Sequence, residues 1–301
     1  MNPDVNTNGG RRAAEVTIRP VATVDEMSQL ETVQRTLWPD DAQRVLPVPW
    51  MLAIARNGGL VLGAFDGERA VGFLVGFLGT DQPAGARPAM ADLKHVSAQI
   101  GVLPSYQGQG VGFRLKLAQR DFVARQGVRL VTWTFDPLDS RHAYFNMRKL
   151  GAVTRRYLRD YDPAQGDAPA DRIGAEWWVN SRRVERRLSG ERAGLTLNYY
   201  ASARVPILNP TTPGRDGFAR PANVVAGVES LDHVVVLVEI PHNFPALRAA
   251  DPALAGAWRH HVREVLEPVL AAGYISTDFV YENVEGRLRS FYVLSQGNAT
   301  L

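Results

Sequence analysis

The chain contains no cysteine, which excludes disulfides, thiolate metal sites and a cysteine nucleophile. No uninterrupted apolar run reaches the ~18–20 residues of a membrane span. The opening stretch, MNPDVNTNGGRRAAE, lacks the apolar core of a signal peptide. It predicts a disordered tail over residues 1–14, and with it a cytoplasmic protein that needs no membrane. Charge of one sign is also scarce, since the net charge of +3 is too small to imply nucleic acid. Arginines cluster at Arg155-Arg156, Arg159, Arg182-Arg183 and Arg186-Arg187, but no aromatic residues interleave with them as a base-stacking groove requires. They read as a solvated surface or as the rim of a pocket for an acidic ligand. The six histidines show no HxxxH or HExxH spacing, and His260-His261 point to two sides of a helix, so no metal is expected.

What is present is a soluble-type composition, 45% hydrophobic and 22% charged, in 301 residues, enough for one large domain or two small ones. The most informative stretch is residues 102–112, VLPSYQGQGVG. A strand stops at Pro104, a glycine-dense turn follows, and an amphipathic run begins at Val111. A turn of this kind at a helix start offers unpaired N–H groups at the positive end of the helix dipole, a binding site for phosphate or pyrophosphate. Two common phosphate loops do not fit. The P-loop needs Lys after its last glycine, where this chain has Phe113, and the dinucleotide fingerprint needs glycine at that same position.

Residues 16–21 read as a strand and residues 24–38 as a helix, with Met27, Leu30, Val33 and Leu37 on one face. A short helix begins near Pro49, with Trp50, Leu52 and Ile54 available for burial. Strands 60–65 and 70–78 flank the hairpin signal Asp66-Gly67-Glu68. A loop over residues 79–91 precedes strand 93–102. Helix 110–126 follows the glycine turn, and strand 129–135 ends in Asp136-Pro137. Helix 140–150 starts at Ser140 as N-cap, with Gly151 as its C′ residue. Strands 153–158 and 175–179 close this part. Beyond it, 195–205 and 232–240 look like strands separated by a linker over 206–221. Residues 251–272 are helical, and 275–281 and 287–294 form a hairpin.

The pattern Val102-x-Pro104-x-x-Gln107-x-x-Gly110-x-Gly112 closely resembles the acyl-CoA pyrophosphate loop of the GNAT N-acyltransferases, Val-x-Pro-x-x-Gln/Arg-x-x-Gly-x-Gly/Ala. The element order β-α-α-β-β-β-α-β-α-β agrees with that superfamily, and the long carboxy-terminal extension with one of its subfamilies. The resemblance implies an α/β (α+β) GNAT fold with a mixed, splayed central sheet. It assigns residues 1–14 to a tail, 15–190 to the acyl-CoA-binding catalytic domain and 191–301 to a smaller extension. That extension reads as a degenerate half-domain or an added β-α-β-β unit, which roofs the acceptor pocket or builds a homodimer interface.

Carried over residue by residue, the resemblance gives the backbone of Ile100 and Val102 to the pantetheine arm. The N–H groups of Gln109, Gly110, Val111 and Gly112, with Gly108 and the Gln107 side chain, would cradle the pyrophosphate. Arg114 and Lys116 would reach the nucleotide phosphates or form a solvated helix face. The second family motif runs Ser140-x-x-Ala143-x-x-x-Met147-x-x-x-Gly151, with Met147 where the family has the tyrosine that protonates departing CoA. Methionine cannot donate a proton. Tyr144 or Asn146 would then act on the sulfur, unless CoA leaves as the thiolate. The glutamate of the protein-lysine branch falls at Val96, which argues against a histone-type enzyme. Candidate bases are Asp136, best placed at the end of a buried strand, His95 and Glu176. The segment around Trp133–Asn146 with Glu176-Trp177-Trp178 resembles a subfamily linked to N-acylated amino acids, including succinyl transfer. The implied activity is transfer of an acetyl or succinyl group from acyl-CoA to a small-molecule amine, without metal. The alternative is an acyl-CoA-binding module without turnover.

Overall fold

The computed structural model describes residues 15–80, 92–161, 170–191, 194–222 and 232–297. The expected tail and most of the loop at 79–91 lie outside the described residues. Contacts divide the chain into two compact units, residues 1–132 and 133–301. The division falls inside a strand.

In the first unit, β1 (Thr17–Pro20) leads into α1 (Val24–Leu37), whose start is set by Thr23: its hydroxyl accepts from the Glu26 N–H. Such a cap contributes about 1 kcal/mol. Met27, Leu30 and Val33 face inward from α1, as their spacing predicts. In α2 (Val48–Arg56) only Met51 is fully buried, and Trp50 is 65% exposed, contrary to its expected burial. The sheet runs β1-β2-β3-β4-β5, with β2 (Leu60–Asp66), β3 (Arg69–Thr80) and β4 (Leu93–Val102) antiparallel and β5 (Leu130–Phe135) parallel to β4. Between β4 and β5 comes α3 (Val111–Arg125). Phe65, Phe73, Leu74, Met27, Met51 and Leu115 form the centre of this core.

The second unit opens with α4 (Ser140–Ala143), continued by a π-helical turn over Tyr144–Lys149. The N-cap is Asp139, whose side chain accepts from the His142 N–H, one residue before the expected Ser140. Strands β6 (Val153–Leu158) and β7 (Arg172–Trp178) are antiparallel, followed by α5 (Arg182–Leu188). The expected strand over 195–205 is instead a helix, α6 (Leu197–Ser202), because the Thr196 hydroxyl caps the Tyr199 N–H and closes a turn. The expected linker holds a small hairpin of β8 (Thr211–Pro213) and β9 (Ala219–Pro221). Then follow β10 (Val235–Ile240), α7 (Phe244–Ala250), α8 (Pro252–Ala271), β11 (Tyr274–Val284) and β12 (Arg287–Gln296). In this unit the strands run in the order β7-β6-β11-β12-β10. Trp258, Val262, Val265, Leu266 and Val269 of α8 pack with Phe279, Tyr292 and Met147 in one core. Arg263 of α8 holds the buried Asp171, to which Tyr157 also donates.

Candidate active site

The glycine turn is built as its sequence demands. Pro104–Tyr106 make a short 3-10 turn, held by the Tyr106 N–H on the Leu103 carbonyl (2.8 Å) and by the Tyr106 hydroxyl donating to Asp66. Gly108 and Gly110 then sit at φ +73° and +82°, in the left-handed region that favours glycine. A Cβ on either would meet no atom within 4 Å, so the space over the loop is open. Gly110 is the N-cap of α3 and offers no side chain to cap it; the first turn carries no acidic residue. Among the described residues no acceptor is recorded for the N–H groups from Gly108 to Phe113, the next one along, on Arg114, being bonded to the Gly110 carbonyl at 3.0 Å. Uncapped N–H groups, the positive end of a 15-residue helix and open space above are the chemistry a pyrophosphate fits.

The strand entering the loop is irregular where an extended ligand would lie. Val75 pairs with Gln99 and Gly76 with Ser97, which leaves Ala98 as a bulge. Within this unit β4 pairs with β5 only at His95↔Val131 and Val96↔Thr132. Ile100 is 37% exposed and Val102 half-buried, on the stretch beyond that pairing. The Gln107 side chain is turned back: its amide donates to the Val102 carbonyl at 2.9 Å instead of pointing over the loop. Arg114 donates to the Val16 carbonyl at 2.6 Å. Lys116, read as a phosphate or solvent contact, is buried. Its ammonium donates to Ser97 Oγ (3.2 Å) and Gln119 Oε1 (2.8 Å), and burial pushes its pKa well below the usual lysine range. His95, a candidate base, is fully buried; burial first and Lys116 second lower its pKa to about 4. Its Nδ1 faces Gln119 Nε2 at 3.2 Å, and its Nε2 is buried without a partner.

The catalytic candidates fall in the second unit. Asp136 is held by Arg259 at two points, 2.7 and 2.6 Å, and also accepts from the Leu138 N–H. Both carboxylate oxygens are thereby taken up by one guanidinium. Tyr144, half-buried, begins the π turn; its ring lies 4.9 Å from that of Tyr281. Asn146 is 4% exposed, and its carbonyl accepts from the Ala152 N–H. Met147 is 1% exposed, with the Ser276 hydroxyl 3.2 Å from its sulfur, so it serves the core. Sequence reasoning named Glu176, and its neighbour only as one of a cluster of arginines. Arg155, on β6, has Nε and Nη2 buried without a hydrogen-bond partner and stands 3.7 Å from Glu176. The buried Trp178 Nε1 lacks a partner as well. Three buried donors without acceptors are a recognisable sign of a missing ligand or water, and the sequence alone did not single out Arg155 from the other arginines.

A strand, an open glycine turn and a helix start without a side-chain cap make an anion-binding element in an α/β protein. Residues 24–151 match the model of the acetyltransferase (GNAT) family, and the chain therefore carries a GNAT acetyltransferase domain, of a family that implies acyl-CoA-dependent acyl transfer. A comparison with curated proteins finds no match. Among solved structures, an N-acetyltransferase from Staphylococcus aureus Mu50 is 14% identical over 55% of this chain and 98% of its own, with a TM-score of 0.45. A ribosomal-protein-alanine N-acetyltransferase from Brucella melitensis is 15% identical over 53% and 98%, with a TM-score of 0.44. The Salmonella typhimurium acetyltransferase yncA, solved with acetyl-CoA, is 16% identical over 56% and 95%, with a TM-score of 0.45. Among the described residues no helix is long and apolar enough to cross a membrane.

Proposed function

We propose that the chain moves an acetyl or succinyl group from acyl-CoA to the amine of a small molecule, an amino acid or a derivative of one. The observation that carries the cofactor half is the uncapped start of α3 under an open glycine turn. The N–H groups of Gln109 to Gly112 bind the pyrophosphate, and the exposed edge of β4 at Ile100 and Val102 lies along the pantetheine arm. Gln107 releases the Val102 carbonyl as the ligand arrives.

The acceptor half is supported by Arg155 and Glu176. A guanidinium with unfilled donors takes the carboxylate of an amino acid, or that of a succinyl chain, in two-point fashion. Glu176, only 3.7 Å away and not closely paired with it, holds the ammonium and accepts its proton. The free amine attacks the thioester carbonyl, the C–N bond forms and the C–S bond breaks; Tyr144 gives its proton to the departing sulfur and is reprotonated by the proton that the new amide nitrogen sheds, Asn146 fixing the geometry. Asp136, locked to Arg259, is the lesser base. A second reading, an acyl-CoA-binding module without turnover, is favoured by one observation: buried Met147 stands where the family motif has its proton donor. Cytoplasmic residence and a homodimer complete the proposal; light scattering of the purified chain tests the latter.

The deciding experiment is thiol release from acetyl-CoA and from succinyl-CoA against amino acids and their carboxamides. Turnover with one donor and a defined set of acids supports the enzyme. CoA binding in calorimetry with no thiol released from any pair supports the module.

A further inference from the structure

Inside the first unit a polar cluster sits in the core that α3 and β4 build, where apolar side chains would pack at less cost. Lys116 and Gln119 stand three residues apart on α3, and His95 and Ser97 alternate along β4. All four are buried, at 2%, 0%, 0% and 6% exposure. The amine of Lys116 joins Gln119 to Ser97, and Gln119 passes the chain on to His95 Nδ1. The opposite strand is cut to fit: a Cβ on Gly76 would come within 2.3 Å of His95 Cε1. Desolvating an amine costs several kcal/mol, and replacing buried charged groups with apolar ones of similar volume is often neutral or stabilising. Stability is therefore a poor account of why the lysine is there.

Its position supplies a better one. Ser97 is the residue immediately before the Ala98 bulge, and Val96↔Thr132 is the last recorded pair between β4 and β5. Lys116 stands within the second turn of the helix whose start is the open glycine loop. We propose that Lys116, with Gln119, Ser97 and His95, is a positioning clasp. It fixes the β4 bulge against α3, and so sets the spacing between the strand edge at Ile100–Val102 and the glycine loop. Neither end touches the ligand. The clasp holds the strand edge and the helix start at the distance that one molecule must bridge. The inference rests on the acyl-CoA reading of that loop.

The test is calorimetry of CoA binding to the full chain, wild type against Lys116→Met and Ser97→Ala, alongside thermal unfolding. Lys116→Met is expected to melt at the same temperature as wild type or higher, yet to bind CoA about tenfold more weakly, the worth of one or two lost hydrogen bonds. In turnover, KM for acyl-CoA rises while kcat changes little. Hydrogen exchange over residues 93–102 of the free protein rises in both variants. Unchanged CoA affinity in a folded Lys116→Met protein overturns the clasp alone. Affinity that falls only together with the melting temperature, in both variants, reduces it to a structural contact. A wild type that binds no CoA overturns the cofactor reading first, and exchange at 93–102 that does not respond to Lys116→Met then removes the clasp as well.

Discussion

His95 makes the fold sensitive to acid in a calculable way. Its pKa is about 4 in the folded chain, against 6.5 for the unperturbed side chain. A base with a depressed folded pKa is destabilising wherever the unfolded chain takes up a proton and the folded one does not. Its neutral burial is therefore without penalty above pH 6.5, and stability falls as the pH drops from there towards 4. A shift of that size corresponds to about 3 kcal/mol once complete, and about 2 kcal/mol is already lost at pH 5. Neither neighbour offers a negative charge: Gln119 is neutral and Lys116 repels the imidazolium. Urea unfolding of wild type and His95→Gln at pH 7.5 and pH 5 checks this. The wild type is expected to lose about 2 kcal/mol more than the variant between the two conditions. Equal losses in the two proteins would mean that the imidazole takes its proton in place, and the account of a closed, dry cluster would fail.

Gly110→Ala should keep the fold at a cost of about 1 kcal/mol, because alanine is strained at φ +82°, while weakening CoA by tenfold or more in calorimetry. Tyr144→Phe should lower kcat with little change in KM for the donor; an unchanged kcat refutes its role as proton donor. Asp136→Asn should destabilise by about 2 kcal/mol, by leaving Arg259 half-paired in a mostly buried place, and leave the pH profile of turnover unmoved. Met147→Tyr should cost about 1–3 kcal/mol by overpacking the core and should not raise activity, read by melting and thiol release. Arg155→Met should remove the preference for acids over carboxamides, while the rate on carboxamides stays.

The glycine loop was legible because its chemistry is local. Positive φ, a helix start and a preceding proline all leave marks within a dozen residues. Strand 93–102 and the buried face of α1 were legible for the same reason, through alternation and period. What stayed hidden depends on partners far along the chain. Lys116 on an amphipathic helix reads as a solvated cation until Ser97 and Gln119 are seen to enclose it. Asp136 looks like an available base until Arg259, 123 residues later, takes both of its oxygens. Residues 195–205 misled through Tyr199-Tyr200, an aromatic pair of strand-like composition, although the Thr196 cap just before it was the better signal. Asp139 displaced Ser140 as cap because either residue type can do so, and only the backbone conformation decides between them.

The π turn at Tyr144–Lys149 has a consequence for counting. Its closing bond, from the Leu150 N–H to the Phe145 carbonyl, spans five residues instead of four, as though one residue had been inserted into an α-helix. A motif spaced in fours, such as Ala143-x-x-x-Met147-x-x-x-Gly151, assumes an unbroken α-helix and loses its register within that turn. The methionine is thus four letters along from the alanine without standing in the place four α-helical residues would reach. A single-residue deletion between 145 and 149 would restore the ordinary period and turn everything after it by about a quarter of a revolution or slightly more. In insertion-and-deletion terms, the helix changes register there while the letters of the motif keep their spacing.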